Sequence, residues 1–426
     1  MNTKKLTFGT GSSIVVKECQ ICQSFNLEPI LFLGFLPPVN LMQKINEFPK
    51  EQAAYPALTL LCKKCQLVQL GLVVDANILF PPEYPYTSGT TKILRENFAE
   101  LSQEVQSLLE PKSNDLVVDI GSNDGTLLSN FVKTQKVMGI EPTNMANVAN
   151  EKKIPTIHSF FNEEAVNRVL EKEGPAKIIT ATNVFAHIEN VDQVVKNILK
   201  LLSPKGVFIS ESHYLHSLIE TLQYDTIYHE HLRYYSLKSL SYLFNQHGLI
   251  IFHAKKIPTH GGSIRVYAAR KNQFPLTNCV QEIMVQEEKA YQNPNFFPDF
   301  KNKVMLSKLK THALLCNLKE KGNRIFGIGA PSRASTLINY VGIDEGIMEA
   351  VMEIKGSYKI GKYMPGTLIP VLEESKLYQE QPNIAFLLSW HIADELMPKI
   401  KQKGFKGDFL VPLPEPRMIK NQDIRI

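Results

Sequence analysis

With 426 residues the chain has room for two to four domains, and a make-up of 44% hydrophobic and 21% charged residues is that of an ordinary globular protein. The balance of 47 Lys+Arg against 42 Asp+Glu gives +5, spread without the clustered run of a nucleic-acid footprint, so nucleic acid is not an expected partner. The start, MNTKKLTFGT, is too polar for a secretory signal, and the apolar stretch ILFLGFLPPVNLM is interrupted by Pro37 and Pro38, so a cytoplasmic protein with no membrane partner is expected.

In chain order, residues 1–80 hold paired cysteines and little helical periodicity. Cys19 and Cys22 form one C-x-x-C, Cys62 and Cys65 a second. Each such turn can aim two thiolates at one ion, and two turns complete a closed tetrahedral set, which predicts a structural zinc site. Redox or unconnected reduced pairs are the alternative, while Cys279 and Cys316 read as inert thiols.

Residues 81–272 alternate strand-like runs (DLVVDIGSND, KVMGIEP, KIITATNVF, KGVFIS) with helical ones (LRENFAELSQEVQSLL, VDQVVKNILKLL), the pattern of a parallel sheet with crossover helices. LIIFHAKKIPTHGGSIRVYAAR predicts a hairpin closing that sheet. A helix-prone span from about 280 to 322 follows, and a second α/β unit opens at RIFGIGAPSRASTLINY, with strands in EAVMEIK and IAFLLSW. The predicted fold class is α/β, in three domains: 1–80, 81–272 and 273–426.

In the middle domain, a strand ending at Asp119-Ile120 runs into Gly121-Ser122-Asn123-Asp124-Gly125, and the next strand ends at Glu141. Close backbone approach at the turn and a carboxylate at the neighbouring strand tip are what a nucleoside needs. The spacing is not G-x-G-x-x-G. It resembles the S-adenosylmethionine site of class I methyltransferases, which implies Gly121, Asn123, Asp124 and Gly125 at the methionine end, Glu141 on the ribose and Phe160 against the adenine.

The segment TIYHEHLRYYS concentrates proton-transfer groups. By itself it is compatible with a structural hydrogen-bonding cluster, with a second metal site that includes His187, or with catalysis. A metal site would need His229 and His231 on one side of an extended segment. His213, His216, His247, His253 and His260 are expected on the surface or in the core.

In the last domain, Gly327-Ile328-Gly329-Ala330-Pro331-Ser332-Arg333 again follows a strand and opens a helix, where amides could receive a diphosphate. An NAD site is disfavoured: the third glycine is missing, and no suitable acid is apparent at the next strand end, where MEIKGSYKIGKY continues with lysines.

Taken in order, the cysteine module, DIGSNDGTLL, NVFAHI, YHEHLRYYS, HGGSIRVY, GIGAPSRASTLINY and GKYMPGTLIPV resemble bacterial sugar C-methyltransferases over nearly the whole chain. Those enzymes methylate C3 of nucleotide-linked 4-keto-6-deoxy sugars. The resemblance implies a class I, Rossmann-like methyltransferase domain flanked by the zinc module and a C-terminal Rossmann-like α/β domain. It implies S-adenosylmethionine and structural zinc as cofactors and a dTDP-, GDP- or CDP-linked sugar as substrate. It further implies His231 as the base, with Glu230 and Tyr228 fixing the sugar or the imidazole and His187 donating to the oxyanion. Tyr84 and Tyr86 match the segment closing over the sugar, with Tyr86 the preferred contact, and Ser332 and Arg333 match the diphosphate contacts. Some members carry Lys-Gly where this chain has Arg333-Ala334, so the nucleotide is left open. Methylation of a sugar oxygen or nitrogen, or a zinc-containing scaffold with a vestigial pocket, are the competing readings.

Overall fold

The computed structural model describes residues 12–47, 51–80, 89 and 91–425, so Tyr84 and Tyr86 lie outside the described residues. The first region forms β1 (Ser13–Val15), β2 (Leu27–Leu36), β3 (Tyr55–Cys62), β4 (Val68–Leu70) and β5 (Leu72–Val74). Strands β2, β3 and β4 make an antiparallel meander, and β1 pairs with β5. Each C-x-x-C is a tight turn. The second begins at Cys62, the last residue of β3, and lies between β3 and β4, so its cysteines are held by the β3–β4 pairing.

The middle sheet is built from β6 (Leu116–Ile120), β7 (Lys136–Glu141), β8 (Thr156–His158), β9 (Ala176–Thr182) and β10 (Leu202–His213). Strand β11 (Arg233–Tyr234) leaves this sheet and pairs with β4, tying the HEH segment to the cysteine module. A hairpin of β12 (Leu249–Ile257) and β13 (Ser263–Arg270) closes the middle sheet, as the sequence predicts, giving the order β12-β13-β10-β9-β6-β7-β8 with β13 reversed. All five residues of β6 are buried, as expected of a strand covered on both faces. Helix Val191–Leu201 buries Val191, Val194, Val195, Ile198 and Leu201, one apolar stripe. Each such side chain contributes about 1.5–3 kcal/mol. The Asn190 side chain caps that helix by accepting from the Gln193 amide.

Strands β14 (Ile325–Ile328), β15 (Ala350–Glu353), β16 (Val371–Glu373), β17 (Ile384–Leu387), β18 (Asp408–Val411) and β19 (Arg417–Ile419) form the last sheet, ordered β16-β15-β14-β17-β18-β19. Only β19 runs antiparallel to its neighbour. In both large sheets the chain order reverses beside the first strand, at β6 and at β14. In open α/β sheets ligands lie at that place, beyond the carboxyl ends of the strands.

The cores cross the sequence regions. One apolar cluster runs from Leu31, Leu36 and Leu61 through Leu218, Tyr224 and Ile227 to Leu337 and Leu387. Another joins the four cysteines to Ile120, Phe185 and Phe208 of the middle sheet. The HEH segment thus sits where all three regions are packed together.

Candidate active site

The four cysteines are buried and form no disulfide. Their sulfurs all lie within 4.8 Å of one another. The closest pairs, Cys19 with Cys65 and Cys22 with Cys62, are each 3.4 Å apart. Amides of Ile21 and Cys22 point at the Cys19 sulfur from 3.5 Å, a donor arrangement that favours thiolate. Four sulfurs at near-tetrahedral edge distances fit zinc and leave no coordination position for a substrate.

At the first glycine turn, Gly121 has φ +68°, and a Cβ there would come within 2.5 Å of Val184 Cγ2. Asn123 also has positive φ, and Gly125, at φ +77°, lies against Ile154. Glu141, the last residue of β7, reaches across. Its Oε2 accepts from the Asn123 amide at 2.9 Å, and its Oε1 accepts from the Thr143 amide and hydroxyl at 2.9 and 2.6 Å. Since each carboxylate oxygen has about two acceptor positions, the hydrogen bonds among the described residues leave one on Oε2 unused. Asp119 is buried beside this tip and accepts from the Thr180 hydroxyl at 2.6 Å. Burial, reinforced by the charges of Glu141 and Glu211, pushes its carboxyl up to about 7.

Asp124 departs from the sequence reading. Its carboxylate takes the Lys152 ammonium at 2.8 Å and the Thr126 hydroxyl at 2.6 Å, so the side chain braces the turn from within the chain. Although burial opposes it, Lys152 and Thr126 hold that carboxyl below its ordinary value. Phe160 lies beyond β8 with 64% of its surface exposed, a ring free to stack.

Beyond the carboxyl ends of β9 and β10, imidazoles gather. The His231 ring is 4.1 Å from that of Tyr228, 4.8 Å from that of His187 and 4.9 Å from that of His213, and His213 stacks on His260 at 5.4 Å. His231 Nδ1 lies 2.7 Å from the Thr226 carbonyl. A carbonyl only accepts, so Nδ1 carries the hydrogen and the neutral ring keeps its lone pair on Nε2. Burial holds His231 well below the ordinary imidazole value, aided by His187, His260 and Arg333. Burial also lowers His187 to about 4, and its Nδ1 is buried without a hydrogen-bond partner among the described residues.

The two histidines of HEH part company. Residues 228–231 form a turn closed by the His231 amide on the Tyr228 carbonyl, and His229 faces Tyr55 and the Pro56 carbonyl of the cysteine module. An extended pair of ligands is therefore not formed. Among the described residues the cysteine quartet is the one group of three or more potential ligands found close enough for a metal. His213 and His260, expected as bystanders, belong to the cluster. HGGS was the usable signal, since it sits in the hairpin opposite β10 and brings His260 over His213.

Glu230 is buried and accepts from Asn40 Nδ2 at 2.7 Å. Ser332 donates to Asn40 Oδ1 at 3.2 Å. Asn40, missed from the sequence, thus links the second glycine turn to HEH. Arg333 also departs from its sequence assignment: its guanidinium is buried in a bidentate pair with Asp225, at 2.8 and 2.7 Å. The acid said to be lacking at the next strand end is present as Glu353, the last residue of β15, whose Oε2 accepts from the Ala330 amide at 2.9 Å. Lys359 donates to the Ala330 carbonyl at 2.5 Å.

Three family models match in succession: a putative zinc binding domain over residues 19–80, a methyltransferase domain over 93–254 and a C-methyltransferase C-terminal domain over 258–414. The chain thus carries a methyltransferase domain between a cysteine module that fits zinc and a C-methyltransferase C-terminal domain, the domain make-up of the C-methyltransferases. A curated relative, C-methyltransferase NovU of Streptomyces niveus, is 28% identical over 409 residues, covering 95% of this chain and 97% of its own. Among solved structures, magnesium protoporphyrin IX methyltransferase from Synechocystis PCC 6803 with bound SAM is 14% identical, with TM-score 0.32 over 42% of this chain and 79% of its own. The plantazolicin methyltransferase BpumL is 12% identical, with TM-score 0.34 over 43% of this chain and 87% of its own. No described helix is long and apolar enough to cross a membrane.

Proposed function

We propose that the protein methylates C3 of a nucleotide-linked 4-keto-6-deoxy sugar through an enolate, for a branched deoxysugar. In this reading residues 1–80 carry zinc, 81–272 bind the methyl donor and 273–426 hold the nucleotide. The observation that supports it best is the bond from His231 Nδ1 to the Thr226 carbonyl at 2.7 Å, which leaves Nε2 as a base within the buried histidine cluster.

Carbon becomes nucleophilic only once a proton beside a carbonyl is removed. S-adenosylmethionine, when bound, supplies an electrophilic methyl. His231 Nε2 takes the C3 proton while Nδ1–H stays on the Thr226 carbonyl, which steadies the imidazolium. His187, kept neutral by burial, donates to the oxygen developing charge at C4. Glu230 and Tyr228 orient the sugar, joined by Tyr86 or Tyr84 of the closing segment. Gly121, Asn123 and Gly125 allow close approach of the donor, with Asp124 bracing their turn, Glu141 taking the ribose and Phe160 the adenine. Ser332 faces the diphosphate.

The test is to incubate the protein with isotopically labelled methyl donor and dTDP-, GDP- and CDP-linked sugars, with and without the 4-keto group, and to locate the label by NMR. Label on C3 of keto sugars alone is expected. Label on oxygen or nitrogen, or transfer to sugars lacking the keto group, would remove the enolate reading.

A further inference from the structure

The family resemblance implies Arg333 as a diphosphate contact, yet two of its donors are spent inside the protein. Nε and Nη2 lie 2.8 and 2.7 Å from the two oxygens of Asp225, which is fully buried. Nη2 also lies 3.1 Å from Gln223 Oε1, and Gln223 Nε2 donates to the Gly261 carbonyl, next to His260, at 2.6 Å. Trp390, just past β17, lies under the guanidinium at 4.8 Å and donates its indole N–H to Asp225 Oδ2 at 2.7 Å. Asp225 is the centre of the short helical turn Tyr224–Thr226. The next carbonyl along, that of Thr226, is the one that holds His231 Nδ1.

We infer that Arg333 and Trp390 of the C-terminal domain position the base: through Asp225 they fix the 223–226 turn whose Thr226 carbonyl sets the tautomer and direction of His231. This rests on His231 being the base, and adds that the C-terminal domain is part of the base's support as well as a seat for the nucleotide. The chemistry calls for arginine, because only its planar fork meets both carboxylate oxygens in one orientation, whereas an ammonium is a point donor. A buried carboxylate also cannot lose its partner without the turn rearranging. The other groups facing His231, namely His187, His213, Tyr228 and Tyr234, offer it no acceptor comparable to the Thr226 carbonyl.

The experiment compares wild type with Arg333→Lys and Trp390→Phe on the keto sugar that the labelling experiment above identifies. It measures kcat, KM and solvent deuterium wash-in at C3 without methyl donor. Methyl-donor affinity by calorimetry reports on folding. Expected for Arg333→Lys is a kcat loss of about 10²-fold, the cost of roughly 1 Å of misplacement, with matching slowing of deuterium wash-in and KM within a few-fold. Trp390→Phe keeps an aromatic ring but removes the indole donor to Asp225, and should show a smaller loss of the same kind. A raised KM with kcat and wash-in unchanged would make Arg333 a diphosphate contact and overturn the inference. If Arg333→Lys does not bind the methyl donor, Trp390→Phe decides, and unchanged wash-in overturns it. Wild type that shows no C3 exchange at all would instead remove the proposed reaction.

Discussion

The two glycine turns use the same backbone device and differ in the side chains packed beside it. After β6, the tip acid Glu141 accepts from the Asn123 amide; after β14, the tip acid Glu353 accepts from the Ala330 amide, each at 2.9 Å. Around the first turn stand the buried acids Asp119, Glu141 and Glu211. Beside the second stands Lys359, which donates to the Ala330 carbonyl and is lowered from its ordinary value by burial, against the opposing charges of Glu353 and Glu230, while Arg333 is spent on Asp225. On the proposed function, the first turn, with Asp119 and Glu141, would take the cationic methyl donor and the second, with Lys359, the diphosphate. The strand-turn-helix unit would then supply amides and close approach at both, and side chains on neighbouring elements would choose the ligand.

The severest way to break this comparison acts where the two ligands would meet. His231→Asn should lower methyl transfer by about 10³-fold, within the usual range for a general base, and slow deuterium exchange at C3. Methyl-donor and nucleoside diphosphate affinities, measured calorimetrically, should stay near wild type. Retained turnover would remove the base assignment.

A crossed pair of substitutions sharpens the charge contrast. Glu141→Gln should weaken the methyl donor by roughly 10- to 100-fold, the worth of a hydrogen bond to a charged group, and leave nucleoside diphosphate binding alone. Lys359→Met should do the converse, with a loss of roughly tenfold for the diphosphate and none for the donor. Equal effects on both ligands would mean the turns do not divide the labour by charge.

How much of this was legible depended on distance along the chain. The strand-turn-acid pattern at Gly121 and Glu141 is local, and the cysteine pairs declare themselves by spacing, so both were readable. Glu353 went unseen because the following lysines hid where β15 ends. Asn40, Asp225 and Trp390 carry no local signal: each matters only because folding brings it against Glu230 or Arg333, from far away in the sequence. His229 and His231 looked equivalent in a string of letters, and only the turn at 228–231 sends one to the cysteine module and the other to the histidine cluster. Arg333 sits at the first turn of a helix, where an anion contact is the natural expectation, and tertiary pairing with Asp225 overrode it.

The mildest probe follows from Asp119. With its carboxyl pushed up to about 7 by burial, the folded protein holds a proton between about pH 4 and 7 that the unfolded chain has released. Stability of the ligand-free protein should therefore fall as pH rises through that window, and Asp119→Asn should flatten the decline, as thermal melts across pH would record. A cationic ligand at the first turn favours the ionised carboxyl. Adding S-adenosylmethionine near pH 6 should thus release a fraction of a proton, visible as a dependence of calorimetric heat on buffer ionisation enthalpy. The release should vanish above about pH 8, where Asp119 is already ionised, and in Asp119→Asn. Nucleoside diphosphate binding at the second turn should show no such Asp119-dependent release. Were the two ligands to behave alike, the acids around Glu141 would have no part in selecting a cation.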